Sequence, residues 1–161
     1  MAELTTLFDE ALEFAINNER EAQALYLELS KKMPLSRPKI KEALLVLSQE
    51  EENHRQQILQ IKNKGPGVFK ATPPQTTFPS LQGQQAPQVD SQSSIKEVLL
   101  FAIAQEKDAR ELYKALAQQA EEKDIREIFR TLSLFEQEHQ IRLEKIYNQL
   151  FSIAELGASQ A

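Results

Sequence analysis

The chain has 161 residues, 41% hydrophobic and 27% charged, with a formal net charge of −5 and no cysteine. That length suits one domain with a sizeable core; the acidic balance, without a block of like charges, argues against nucleic acid as a partner; and the missing thiols exclude disulfides, thiol catalysis and cysteine-ligated iron or zinc. No run approaches the roughly 18 consecutive apolar residues of a membrane span, and the opening MAELTTLFDE lacks a basic stretch followed by a long apolar one, so a cytoplasmic protein without a membrane partner is expected.

Leu, Ala, Glu, Gln, Lys and Arg are abundant, which favours helix. The first predicted helix carries a seam at Phe8, Leu12, Ala15, Glu19, Ala22, Tyr26, Leu29 and Met33. The alternating steps of four and three keep one stripe turned toward a neighbour. Pro34 and Pro38 break the pattern. A second seam runs Ile40, Leu44, Leu47, Glu51, His54, Ile58 and Ile61, completing a first helical hairpin over 5–63. Residues 64–93 are rich in Pro, Gln, Gly and Ser without helical period, and are predicted to cross over along the bundle. Helices of about 28 residues are roughly 42 Å long, which about 30 extended residues span with slack. The third seam is Ile95, Leu99, Ala102, Glu106, Ala109, Tyr113, Leu116 and Ala120. After a polar joint near Glu122 to Asp124 comes the fourth, Ile125, Phe129, Leu132, Glu136, His139, Leu143, Ile146 and Leu150, closing a second hairpin over 94–153. The fold class expected is all-α: one domain over 1–161, a four-helix bundle made of two hairpins joined by a long crossover.

The hairpins are copies. FAINNEREAQALY from Phe14 aligns with FAIAQEKDARELY from Phe101, and LSQEEENH from Leu47 with LSLFEQEH from Leu132. Glu19 and Glu106 are 87 residues apart and Glu51 and Glu136 are 85 apart, so a small difference in the turns separates the copies.

Both histidines of the chain follow a glutamate by three residues, as Glu51/His54 and Glu136/His139. With Glu19 and Glu106 they occupy seam positions at matched distances from the turns, which in antiparallel helices puts all six at one depth. Four carboxylates in a core repel and are costly to bury. No Lys or Arg occupies a seam position, and two divalent metals balance four carboxylates. Residues i and i+3 project from one helix face. Oxygen and imidazole donors without thiolate suit iron or manganese, and zinc also fits.

On these motifs the chain resembles the rubrerythrin-like branch of the ferritin superfamily, across all four helices. The resemblance implies a ferritin-like fold with two metal ions, most simply iron. Glu51 and Glu136 would bridge them, Glu19 and Glu106 would be terminal ligands, and His54 and His139 would each cap one. The further glutamate that rubrerythrins usually carry three residues after the third-helix ligand is Ala109 here, with Ala22 as its counterpart, and there is no cysteine for a rubredoxin-type iron domain. The four-Glu, two-His set is closer to that of bacterioferritin, although too little chain follows Leu150 for the fifth helix of a ferritin shell. Ala22 and Ala109 read either as close-packing seam residues or as space for dioxygen or peroxide. Tyr26 and Tyr113 read either as hydrogen-bond donors to the site or as core aromatics with a wet tip. Glu50, Glu52 and Glu138 lie off the seam and are expected to be solvated.

The activity implied is that of an oxidoreductase acting on peroxide or dioxygen in oxidative-stress protection, with an external electron-donor protein. One alternative is a ferroxidase acting on Fe(II); another is a non-catalytic metal-binding bundle. A homodimer is expected, with hairpin exchange through the linker as a low-cost route to it.

Overall fold

The structure, a computed structural model, describes residues 2–65 and 94–152, with side chains from Asp9 to Phe151. It is a four-helix bundle: α1 (Ala2–Lys32), α2 (Pro38–Asn63), α3 (Ile95–Gln119) and α4 (Lys123–Tyr147), the last continued by one π-helical turn, Asn148–Ser152. There is no strand among the described residues. None of the helices is long and apolar enough to cross a membrane.

The boundaries follow local chemistry. Pro38 opens α2 at a first-turn position where its missing N–H costs nothing. Gly65, at φ +87°, follows the end of α2 in a left-handed conformation that a side chain would strain, and donates to the carbonyl of Lys62 at 3.1 Å. Ser94 caps α3 by accepting from the Glu97 amide at 3.2 Å. The joint before α4 is shorter than expected, because Asp124 already lies in the first turn of α4, where its charge suits the helix dipole. The Arg126 guanidinium fastens this joint through the carbonyl of Ala120, at 3.2 Å.

Packing is most extensive within the pairs α1/α2 and α3/α4, and the pairs meet along α1/α3 and α2/α4. Two apolar clusters fill the interior. One joins Leu12 and Ala15 of α1 to Ile58 and Ile61 of α2, Tyr113 and Leu116 of α3, and Ile125 and Phe129 of α4. The other joins Leu29 and Met33 to Ile40 and Leu44, Val98 and Leu99, and Leu143 and Ile146. The start of α1 therefore meets the ends of α2 and α3, so α2 and α3 point the same way. α2 finishes at one end of the bundle and α3 begins at the other, as a long crossover demands. The predicted crossover itself, apart from Lys64, Gly65 and the Ser94 boundary, lies outside the described residues. Among described side chains the predicted seams are all buried except Ala22, Ile95 and Leu150, which are half-buried; the Phe8 side chain and Ile153 lie outside the described region.

Candidate metal centre

Between the two apolar clusters lies a polar layer. Glu19 from α1, Glu51 and His54 from α2, Glu106 from α3, and Glu136 and His139 from α4 are each at most 3% exposed. The seam sequence dictates this: at these turns the stripe facing the core offers Glu or His where neighbouring turns offer Leu or Ile in α2 and α4 and Ala in α1 and α3. Among the described residues no Lys or Arg is buried with them.

The inner four come from α2 and α4. Ligand-type atoms of Glu51, His54, Glu136 and His139 all lie within 4.8 Å of one another. His54 Nδ1 is 3.2 Å from Glu51 Oε2 and 3.0 Å from Glu136 Oε1. His139 Nδ1 is 3.0 Å from Glu51 Oε1 and 3.8 Å from Glu136 Oε2. The two imidazoles stack with centroids 5.3 Å apart and planes at 16°. Glu19 and Glu106 flank the four, each 3.8 Å from one histidine Nδ1, that of His54 and that of His139 respectively. All six predicted residues are thus brought to one site.

Tyr26 and Tyr113 follow the hydrogen-bonding reading, and neither has a wet tip. Each is a fully buried core aromatic, and each hydroxyl donates to a carboxylate of the opposite hairpin: Tyr26 to Glu106, Tyr113 to Glu19. Burial, then the neighbouring carboxylate, raises both phenols well above their usual 10.0, so they stay protonated donors. Ala109 packs in the first apolar cluster and Ala22 against the second.

One expectation is corrected. Glu50 is not simply solvated: its Oε2 sits 3.1 Å from His139 Nε2 and accepts from the Arg142 guanidinium at 2.7 Å. Its place beside the seam hid this, since only a side chain leaning across to α4 makes the contact. The signal that could have revealed it is the complementary pair itself, an acid one residue before Glu51 and a base three residues after His139. Glu138 does point outward, its side chain 61% exposed, whereas Glu52 is half-buried in a two-pronged pair with Arg55 at 2.8 Å.

The electrostatics of the layer demand cations or protons. Burial pushes Glu19, Glu51 and Glu136 well above the usual 4.5, and neighbouring carboxylates push them further: Glu51 acts on Glu19, Glu106 on Glu51, and Glu19 on Glu136. Burial, reinforced by the nearby His139 and Arg142, lowers His54 to about 3, so it is a neutral donor at ordinary pH. Glu136 Oε1 lies 3.0 Å from His54 Nδ1 yet makes no hydrogen bond. A buried carboxylate oxygen without a hydrogen bond, close to a neutral imidazole, is a pair of ligands that a metal ion satisfies together. The cluster fits a pair of metal ions on chemistry, charge and burial.

The rubrerythrin family model matches residues 10–79 and 97–160. Curated proteins and solved structures yielded no match. With the family match covering most of its length, the chain belongs to the rubrerythrin family.

Proposed function

We propose that this rubrerythrin-family chain is a cytoplasmic di-iron oxidoreductase that reduces peroxide or dioxygen and is re-reduced by an external donor. The observation that supports this most is the closed layer of four carboxyl groups and two imidazoles between two apolar clusters. In this reading Glu19, Glu51, Glu106 and Glu136 would hold the two ions through their carboxylates, with Glu51 and Glu136 shared, and His54 and His139 would each supply one imidazole. A bound iron pair supplies two electrons, which with two protons convert hydrogen peroxide to two waters.

The chain's own residues do the rest. Tyr113 and Tyr26 orient Glu19 and Glu106 from the opposite hairpin, so the site forms only when the hairpins are docked. The raised carboxyl groups give up their protons as cations enter, which makes metal uptake proton-coupled. The apolar clusters above and below exclude bulk water and leave small uncharged molecules as the best-suited reactants.

The test is turnover by the iron-loaded chain. Peroxide consumed at the expense of a supplied reductant supports the reading. Fe(II) oxidised well beyond two per chain, without peroxide reduction by that reductant, makes it a ferroxidase. Neither activity leaves a metal-binding bundle and overturns the oxidoreductase reading.

A further inference from the structure

The internal duplication supplies a control for each position in the site, because the residues around it in one hairpin have counterparts in the other. The glutamates, histidines and tyrosines of the layer are the same in both copies. The surroundings of the two histidines are not. Behind His139, on the side away from the carboxylate layer, stands Glu50, with Oε2 3.1 Å from Nε2, and Arg142 donates to that same oxygen at 2.7 Å. The counterpart of Glu50 in the second hairpin is Phe135, and the counterpart of Arg142 in the first is Gln57. Phe135 places its ring 5.3 Å from the His54 imidazole, tilted by 40°, and Gln57 is exposed.

This difference acts on metal binding. A carboxylate only accepts, so Glu50 at Nε2 favours the His139 tautomer with the hydrogen on Nε2, which leaves Nδ1, 3.0 Å from Glu51, as the ligating nitrogen. A carboxylate on the far nitrogen fixes the tautomer, locks the ring plane and strengthens the near nitrogen as a donor. Arg142 prevents Glu50 from swinging into solvent, where its side chain is already 30% exposed. A phenyl ring gives His54 packing but no acceptor.

The geometry points to Glu50, braced by Arg142, as a positioning residue that makes His139 the stronger of the two imidazole ligands, so that the two metal positions fill in order, the His139 position first. This rests on the two-metal reading above and adds an inequivalence that the paired motifs conceal.

Calorimetric titration of the metal-free full-length chain with Co(II), followed in parallel by the visible absorption of the bound ion, tests it. Two separated steps are expected. His139→Ala should remove the tight step and His54→Ala the weak one. Glu50→Ala should weaken the tight step by roughly 10- to 100-fold, the usual effect of losing a partner behind a ligating histidine, and leave the weak step in place, so that the steps merge. Glu50→Gln, which keeps an acceptor oxygen, should recover part of the loss. The double variant Phe135→Glu/Gln57→Arg builds the missing support behind His54 and should tighten the weak step. Circular dichroism of each metal-free variant guards against a folding defect, and the gain expected from the double variant is not one that misfolding produces. Wild-type steps unchanged in Glu50→Ala, or both steps weakened equally, would overturn the role of Glu50 while leaving the two-metal reading intact. A wild-type chain that takes up no Co(II) would overturn both.

Discussion

In the first hairpin the Ser48 hydroxyl donates across to the carbonyl of Gln23 at 2.9 Å; in the second, Ser133 does the same to Arg110 at 3.1 Å. The tyrosines reciprocate as well, each bridging to the other half. The duplication therefore preserves the buried polar bonds as well as the apolar stripe. It breaks at the flanks of the histidines, where one half has a Glu–Arg pair and the other Phe and Gln. The titratable groups of the layer are held in duplicate, whereas the groups behind the two histidines differ. The Glu50–Arg142 pair stands where side chains reach partly into solvent.

The largest effect should come from the layer as a whole. Without metal, burial favours the protonated forms of Glu19, Glu51 and Glu136; with metal, binding to the folded state alone adds about 4 kcal/mol at a thousandfold excess over Kd. The thermal midpoint should then rise by roughly 10 °C on loading and fall back on chelation. A midpoint indifferent to chelation would mean that the halves do not enclose a shared site.

The next effect is on pH. Glu19, Glu51 and Glu136 are raised above 4.5 in the folded chain, so the folded state holds protons that the unfolded state has released. That stabilisation is fully present below the ordinary glutamate range and is lost as pH rises through the folded values. His54 acts in the opposite sense, but only below its ordinary 6.5, since above it the imidazole is neutral in both states. Above that value the raised carboxyl groups of Glu19, Glu51 and Glu136 set the direction. Metal-free stability should fall there, by about 1.4 kcal/mol per pH unit for each proton the folded state holds in excess. Denaturant unfolding of the chelated protein at several pH values checks this, and a rise there would contradict it.

Smaller effects compare the halves directly. Tyr26→Phe and Tyr113→Phe each leave a buried carboxyl without its donor, a loss of about 1–3 kcal/mol. The two should match, because the bonds are related by the duplication; a one-sided loss would show that only one half needs its tyrosine. Ser48→Ala and Ser133→Ala remove neutral bonds at partly buried positions and should cost about 1 kcal/mol each, again equally.

Most of the fold was legible because the seams are long and regular. The six layer residues stood out as charged breaks in an apolar stripe, at matched depth in two copies. Sequence left the tyrosines open, since periodicity places a side chain on a face without showing whether its hydroxyl reaches a carboxylate 80 or more residues away. Glu50 was misjudged for a related reason. A flank position is usually solvated, and only the docking of α2 against α4 turns its carboxylate onto His139. The joint before α4 came out shorter than expected because Asp124 favours a first helical turn as readily as a loop.

The central claim is that the layer holds two metal ions in a shared set of ligands. The most direct measurement is the iron content of the full chain, loaded with Fe(II) without oxygen and freed of excess, beside that of Glu51→Ala/Glu136→Ala. The account predicts two irons per wild-type chain and fewer than one in the double variant, with helix content unchanged. A wild-type chain that retains no iron, or a double variant that retains as much as wild type, would contradict it.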